Sequence, residues 1–445
     1  MRVAVVGGGI AGLAAAFHLA RGGAEPVVLE GSDRVGGKLR LDRVGDLTVD
    51  VGAEAMLARR PEAVDLVGAA GLGADLVEPE PVPAMVWSRG DLHPLPPTVM
   101  GVPADTEAAV SSGILASPVV SRSVPAPEGD VSVAAFVADR VGQEVVDRLV
   151  EPLLGGVYAG HADRLSLLAT APMVAALAPD LVAGAAAARA RMPKDAGPAL
   201  VGLRGGVGRL PHALVEAGGF EVRTGATVRA VSAAGDGWSV VTGPTTGAVR
   251  ERFDAVVMAA PAPAAARLLA EAAPRAAFAL AGVDYASMAV VTLVLEGADL
   301  PAGTGFLVPP VEDTAIKAAT FSSRKWAWLA EAAGGATVVR TSLGRAGETS
   351  VLQQGDAALV DLAVADLQSI IEPAGRLGVV QASSVQRWGG GLPQYEVGHL
   401  DLVATVREDV STVPGLEVCG AAYDGVGIAA VVAGAAAAAE RTLAG

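Results

Sequence analysis

Residues 7–12 read Gly-Gly-Gly-Ile-Ala-Gly and hold the spacing G-x-G-x-x-G between an apolar pentapeptide and an Ala/Leu-rich stretch. Arg2–Val6 reads as a buried strand. Ala11–Arg21 reads as a helix stopped by Gly22-Gly23, and Glu25–Glu30 as a second strand. Together they predict a βαβ unit of about 30 residues. In such a unit the first glycine (Gly7) permits the tight turn. The second (Gly9) lets the backbone approach a pyrophosphate, and the third (Gly12) lets helix and strand pack closely. The helix N-terminus offers free N–H groups and a partial positive charge to phosphates. Glu30 falls 21 residues after Gly9, at the end of the second strand. From there it can accept hydrogen bonds from an adenosine ribose, and its charge disfavours a 2′-phosphate and hence NADP. A Gly-rich turn without a ligand is the alternative; the strand before it and the helix after it favour a dinucleotide.

With 445 residues, a prior of roughly 150 per domain gives about three domains. Cys419 is the one cysteine, so an intramolecular disulfide, an Fe–S cluster and a Cys-rich zinc site are excluded. No apolar run reaches the roughly 20 residues that span a bilayer. The longest, Ile428–Ala439, is rich in Gly and Ala and reads as a closely packed helix. No cleavable signal pattern precedes Arg2. These features predict a cytoplasmic protein. The net charge of −15 does not suit nucleic acid or an anionic membrane. An anionic substrate would need a locally basic pocket.

Further along, Glu221–Val231, Gly237–Thr242 and Phe253–Ala260 read as strands, and Met288–Glu296 as a central strand of a second sheet. Thr98–Met192 is mostly helical in pattern, with an ordinary helix at Ala183–Arg191. Leu416–Cys419 reads as a short strand before a final helix. The expected class is α/β, with α+β character in a second domain. A discontinuous Rossmann-type nucleotide-binding domain comprises 1–75, 200–272 and 382–445. A substrate-binding sheet domain comprises 76–97 and 273–381, and a helical domain 98–199.

The run Glu30-Gly31-Ser32-Asp33-Arg34-Val35-Gly36-Gly37-Lys38, followed by Asp50-Val51-Gly52-Ala53-Glu54-Ala55, resembles the amine oxidase-like flavoproteins. In that group the paired glycines approach the diphosphate, and the second loop lies against the isoalloxazine ring. The resemblance therefore implies FAD. Four more segments resemble the flavin-dependent porphyrinogen oxidases of haem biosynthesis. These are Leu92–Pro96 with Val99–Pro103, Glu151–Gly160 with Asp163–Ser166, Arg387-Trp388 with Leu392–Tyr395 and Val397–His399, and Gly420–Ile428. The likeness runs along essentially the whole chain, and the last two segments are not shared in this form by general amine oxidases. Asp424 departs from the pattern, since relatives often carry a basic or neutral residue there.

Carried over by position, the resemblance implies FAD contacts at Gly7, Gly8, Gly9, Ile10, Ala11, Gly12, Glu30, Gly31, Gly37, Lys38, Gly52, Ala53, Glu54, Ala55, Val228, Trp388, Val426, Gly427 and Ile428. Val228 would act through its backbone at the adenine. Arg59 matches a basic contact to a substrate carboxylate; a solvated Arg59-Arg60 pair is the alternative. Tyr158 and the Tyr285–Met288 stretch are candidates for apolar walls. Lys317, Arg324 and Lys325 are further cations, the last two read as a solvated face. Cys419 reads as buried and inert.

The resemblance implies a six-electron oxidation of coproporphyrinogen III in three flavin cycles, with oxygen as acceptor and hydrogen peroxide released. Protoporphyrinogen IX is the alternative substrate. The residues agree in a negative way: no Ser-His-Asp set, paired-carboxylate motif or metal-ligand spacing stands out. Flavin itself carries the redox chemistry. Two other readings stay open: an amine oxidase or polyene desaturase of the wider group, and a non-catalytic FAD-binding protein. Oligomeric state is not legible.

Overall fold

The computed structural model describes residues 1–193 and 197–445. Residues 194–196, inside the segment expected to be helical, lie outside the described residues. Five parallel strands form the first sheet, in the order Glu221–Arg223, Glu25–Leu29, Arg2–Val6, Ala255–Met258, Leu416–Val418. Its inner strands are almost uninterrupted apolar runs because both faces are covered. Val3, Val5, Val28 and Val257 pack against the helices Ile10–Arg21 and Ile428–Ala444. Ala4, Val6, Val27, Leu29 and Val256 face a three-stranded antiparallel sheet and the helices Ala262–Leu269 and His399–Ser411. This sheet gathers chain from the start, middle and end of the sequence, and it carries the α/β character expected.

The expected strand Glu221–Val231 is two strands. Glu221–Arg223 joins the parallel sheet, and Val228–Ala234 opens the antiparallel one. Between them the chain turns at Gly225 (φ +65°), whose N–H bonds Ser32 O while Ala226 N–H bonds Glu30 O. The turn thus crosses the end of the second strand. The expected strand Phe253–Ala260 is likewise divided, with Phe253 closing the strand Val249–Phe253 and Ala255–Met258 joining the parallel sheet.

The second sheet has seven strands, in the order Val379–Pro393, Tyr285–Glu296, Thr337–Leu343, Ile316–Phe321, Gly305–Leu307, Met85–Ser88, Asp91–Pro94. Its two faces differ in burial. On one, Ala289, Val291, Leu293, Val339, Leu343 and Phe321 pack on the helix Asp356–Ile371. On the other, Val294 and Val338 pack on the hairpin Leu41–Asp50, while Met288, Ala318, Ser342, Gln386 and Trp388 stay half-buried. Register aligns these residues in rows: Leu307 beside Ala318, Ala318 beside Ser342, Ser342 beside Val290, Val290 beside Gln386, and Met288 beside Trp388.

Helices Val133–Val141, Glu151–Tyr158 and Leu181–Ala190 enclose a third core. Ser132 and Asp180 cap the first and last through their side chains. Among the described residues no helix is long and apolar enough to cross a membrane.

Candidate active site

The glycine fingerprint behaves as its spacing requires. Gly7 has φ +111°, which glycine adopts without strain. A Cβ on Gly12 would overlap the Gly7 carbonyl oxygen, whereas a Cβ on Gly9 would meet only Gly37 Cα, at 4.0 Å. The backbone at Gly9 is therefore open to approach. Gly36 N–H donates to Gly8 O at 2.8 Å, which lays the paired glycines on the fingerprint. Ile10 and Ala11 start the helix, whose N-terminus has no side-chain cap. Glu30 accepts from Gly8 N–H (2.6 Å) and Ser32 N–H (2.8 Å). A carboxylate offers about four lone pairs, so it retains acceptor capacity for a ribose. Gly31 approaches Thr227 Oγ1, which brings Val228 beside this turn. Among the described residues Lys38 has no hydrogen-bonded or ionic side-chain partner, and burial lowers its pKa. An open backbone, an uncapped helix N-terminus and an unpaired, largely buried cation form a donor set that fits a dinucleotide diphosphate.

Gly52 and Ala53 lie against Lys38. Ala53 N–H donates to Lys38 O at 3.1 Å, and a Cβ on Gly52 would overlap that oxygen. Trp388 Nε1 donates to Val51 O at 3.3 Å and flanks Gly52. Glu54 departs from expectation. Its carboxylate pairs with Lys325 Nζ and Arg340 Nη1, each at 2.6 Å, and accepts from Ser322 Oγ at 3.2 Å. Burial alone would raise its pKa, but the two cations override burial and hold it at about 2. Glu54 is thus spent on fastening its loop to the seven-stranded sheet, and only the backbone around it stays available to a cofactor. Lys325 is also corrected: with its side chain 16% exposed and paired to Glu54, it is not on a solvated face. Arg324 likewise bonds Pro301 O. Arg340 also donates to Gly52 O at 2.5 Å. Below the loop, Asp50 accepts from Val207 and Gly208 N–H, and burial pushes its pKa up to about 6.

The loop Gly420–Ile428 closes this region. Tyr395 Oη donates to Ala421 O (2.5 Å) and accepts from Gly425 N–H (2.8 Å). Val426 packs on the helical core. A Cβ on Gly427 would meet nothing within 4 Å, and Ile428 starts the last helix. Asp424 pairs with Arg407. Cys419 is fully buried, and burial pushes its thiol up to about 12, which leaves it unreactive. His399 stacks on Tyr395 at 3.9 Å, and burial lowers its pKa to about 4, so it is neutral.

The Gly52–Ala55 loop and the helix Glu151–Tyr158 both adjoin the half-buried face of the seven-stranded sheet. Gly156 lies close to Leu307 on that face. Met288 sits on this face beside Trp388. Tyr158 does not face this sheet. It is buried in the helical core, 5.7 Å from Tyr395, and its neighbour Val157 is the residue exposed, at 46%. Tyr285 turns elsewhere: its hydroxyl accepts from Ala262 N–H at 2.9 Å, on the flank of the parallel sheet. Arg59 is exposed and has no side-chain partner among the described residues. Lys317 is buried and bonds Gly344 O. No group of metal-ligating side chains occurs among the described residues. Sequence reasoning missed Arg340 and the role of Tyr395; the L-P-Q-Y segment marked the latter's position, while Arg340 carries no local signal.

The family model for flavin containing amine oxidoreductases matches residues 10–443. A coproporphyrinogen III oxidase of Mycobacterium leprae is 38% identical, covering 97% of this chain and 96% of its own. One from Bacillus subtilis is 31% identical, covering 96% and 94%. A crystal structure from Exiguobacterium sp. 255-15, with a provisional protoporphyrinogen oxidase name, superposes with a TM-score of 0.87. It is 32% identical and covers 100% of this chain and 98% of that one. The chain belongs to the flavin containing amine oxidoreductase family, and FAD is its cofactor.

Proposed function

We propose that this protein is an FAD-dependent oxidase that converts coproporphyrinogen III to coproporphyrin III. Three cycles remove six electrons and six protons in all, and three molecules of oxygen become three of hydrogen peroxide. The full-length relatives with that name support the substrate. The structural observation that carries the reading is the chemistry of the half-buried sheet face. On the sheet face beside Gly52 and Trp388, the residues Met288, Val290, Ala318, Thr320, Ser342, Ser384 and Gln386 are all uncharged. The cation in their midst, Arg340, is engaged by Glu54 and Gly52.

Such a face suits a macrocycle whose oxidation is driven by aromatisation and needs orientation more than a general base. FAD supplies a hydride acceptor at N5. The protein's part is to hold and orient. The fingerprint from Gly7 to Gly12 and Lys38 take the diphosphate, and Glu30 takes the ribose. Gly31 and Val228 adjoin the adenine. Gly37, Gly52 to Ala55, Trp388 and Val426 to Ile428 shape the flavin end. Met288 and Val157 give apolar walls, and Arg59 takes a propionate at the mouth. A cytoplasmic site of action belongs to the same proposal.

Anaerobic mixing of the FAD-loaded protein with coproporphyrinogen III tests the reading. Bleaching of the oxidised flavin absorbance, reversed by oxygen, is the expected result. A flavin that stays oxidised with both coproporphyrinogen III and protoporphyrinogen IX refutes it.

A further inference from the structure

We propose that Tyr395 is a positioning residue that couples FAD occupancy to the seating of the helical segment 151–166. The proposal rests on the placement of FAD against the loop Gly420–Ile428. Tyr395 lies two residues beyond the 15-residue strand Val379–Pro393 and faces three parts of the molecule at once.

The Tyr395 hydroxyl bonds the flavin loop at two points, donating to Ala421 O and accepting from Gly425 N–H. Gly425 has φ +122°, so the hydroxyl holds a backbone conformation that glycine alone adopts readily. Its own carbonyl accepts from Ser166 N–H at 2.8 Å, and Gln394 Nε2 donates to Tyr158 O at 2.8 Å. These bonds fasten the helical segment 151–166. The Tyr395 ring packs near Tyr158 on one side and stacks on neutral His399 on the other.

The loop and the helical segment therefore share one rigid junction. A group that orders the loop orders Tyr395, and through it the bonds to Ser166 and Tyr158. A flavin site without cofactor leaves the loop free to move, and the helical wall loosens with it. By linkage the reverse also holds: loosening the junction weakens FAD. Tyr395→Phe keeps the ring and both stacking partners. It leaves Ala421 O and Gly425 N–H without their partner, a change worth about tenfold in FAD affinity.

Hydrogen exchange read by mass spectrometry on the full chain, with and without FAD, tests the coupling. In the unaltered protein FAD is expected to protect both 420–428 and 151–166. In Tyr395→Phe at saturating FAD, protection of 2–30 is expected to persist while the FAD-dependent protection of 151–166 is lost. Equal FAD-dependent protection of 151–166 in both proteins overturns the proposal. If Tyr395→Phe does not fold, the unaltered protein decides alone: exchange in 151–166 indifferent to FAD overturns it. Neither readout depends on which substrate the enzyme oxidises, so an inactive preparation leaves this test intact.

Discussion

Glu54 and Arg340, 286 residues apart in sequence, meet at 2.6 Å in a largely buried ion pair that Lys325 completes from the other side. This pair joins the loop beside the proposed flavin to the seven-stranded sheet, and so fixes the spacing of loop and sheet. Removing one partner of a buried pair strands the others, at a cost of roughly 3–5 kcal/mol. Glu54→Gln is expected to lower Tm and weaken FAD retention together. Glu54 has a depressed pKa, so its contribution is present above about pH 4.5 and is lost as pH falls toward about 2. Unfolding curves from pH 6 to pH 3 check this: the difference between Glu54→Gln and the unaltered protein should shrink as pH falls.

Gly9 and Gly12 make opposite predictions from neighbouring turns of chain. Gly12→Ala forces a methyl into the Gly7 carbonyl, so the protein is expected to misfold or lose several kcal/mol, about the cost of severe overpacking. Gly9→Ala meets no atom closer than 4.0 Å and should fold normally. Its methyl occupies the approach to the diphosphate, so FAD affinity should fall by roughly 100-fold or more. Thermal melts with and without FAD separate the two: Gly9→Ala should match the unaltered apoprotein and gain little on adding FAD.

Lys317 is buried, and burial, with help from Arg345, drives its ammonium from 10.5 to about 7. A lowered pKa in the folded state gives stability above about pH 10.5 that is lost as pH falls through about 7. At pH 6 the buried charge therefore costs stability. Lys317→Met is expected to raise the unfolding free energy at pH 6, and Tm with it, by on the order of 2 kcal/mol after the lost bond to Gly344 O is counted. The gain should vanish near pH 10. A melt series across that range measures it.

Arg59 reports on the substrate alone. It is exposed and unpaired among the described residues, so Arg59→Ala should leave Tm and FAD affinity unchanged. Losing one charge-assisted contact to a carboxylate should raise KM about tenfold with little change in kcat. Steady-state rates against coproporphyrinogen III check the split.

The turn geometry of the glycine fingerprint was legible because its information is local. Gly7, Gly9, Gly12, Glu30 and the Gly36-Gly37 pair announce their roles within 31 residues of chain. The substrate side was not legible in that way. Tyr285 and Met288 fall on opposite faces of one strand by its alternation, and which face meets the Gly52–Ala55 loop is set by packing on distant chain, with Tyr285 held aside by its bond from Ala262 N–H. The ion pairs of Glu54 were not legible, because its partners Lys325 and Arg340 lie in another part of the chain and no local pattern pairs them. The split of Glu221–Val231 follows from the same cause, since the turn at Gly225 is made by bonds to Ser32 and Glu30.

The central claim is the substrate and the reaction. Purified, FAD-loaded protein supplied in air with coproporphyrinogen III or protoporphyrinogen IX, at equal concentrations, tests it by the rise of porphyrin fluorescence. Faster coproporphyrin appearance, abolished by removing FAD or oxygen and matched by hydrogen peroxide at three per porphyrin, is the predicted result. No enzyme-dependent fluorescence from either porphyrinogen, with FAD bound in full, would contradict the account.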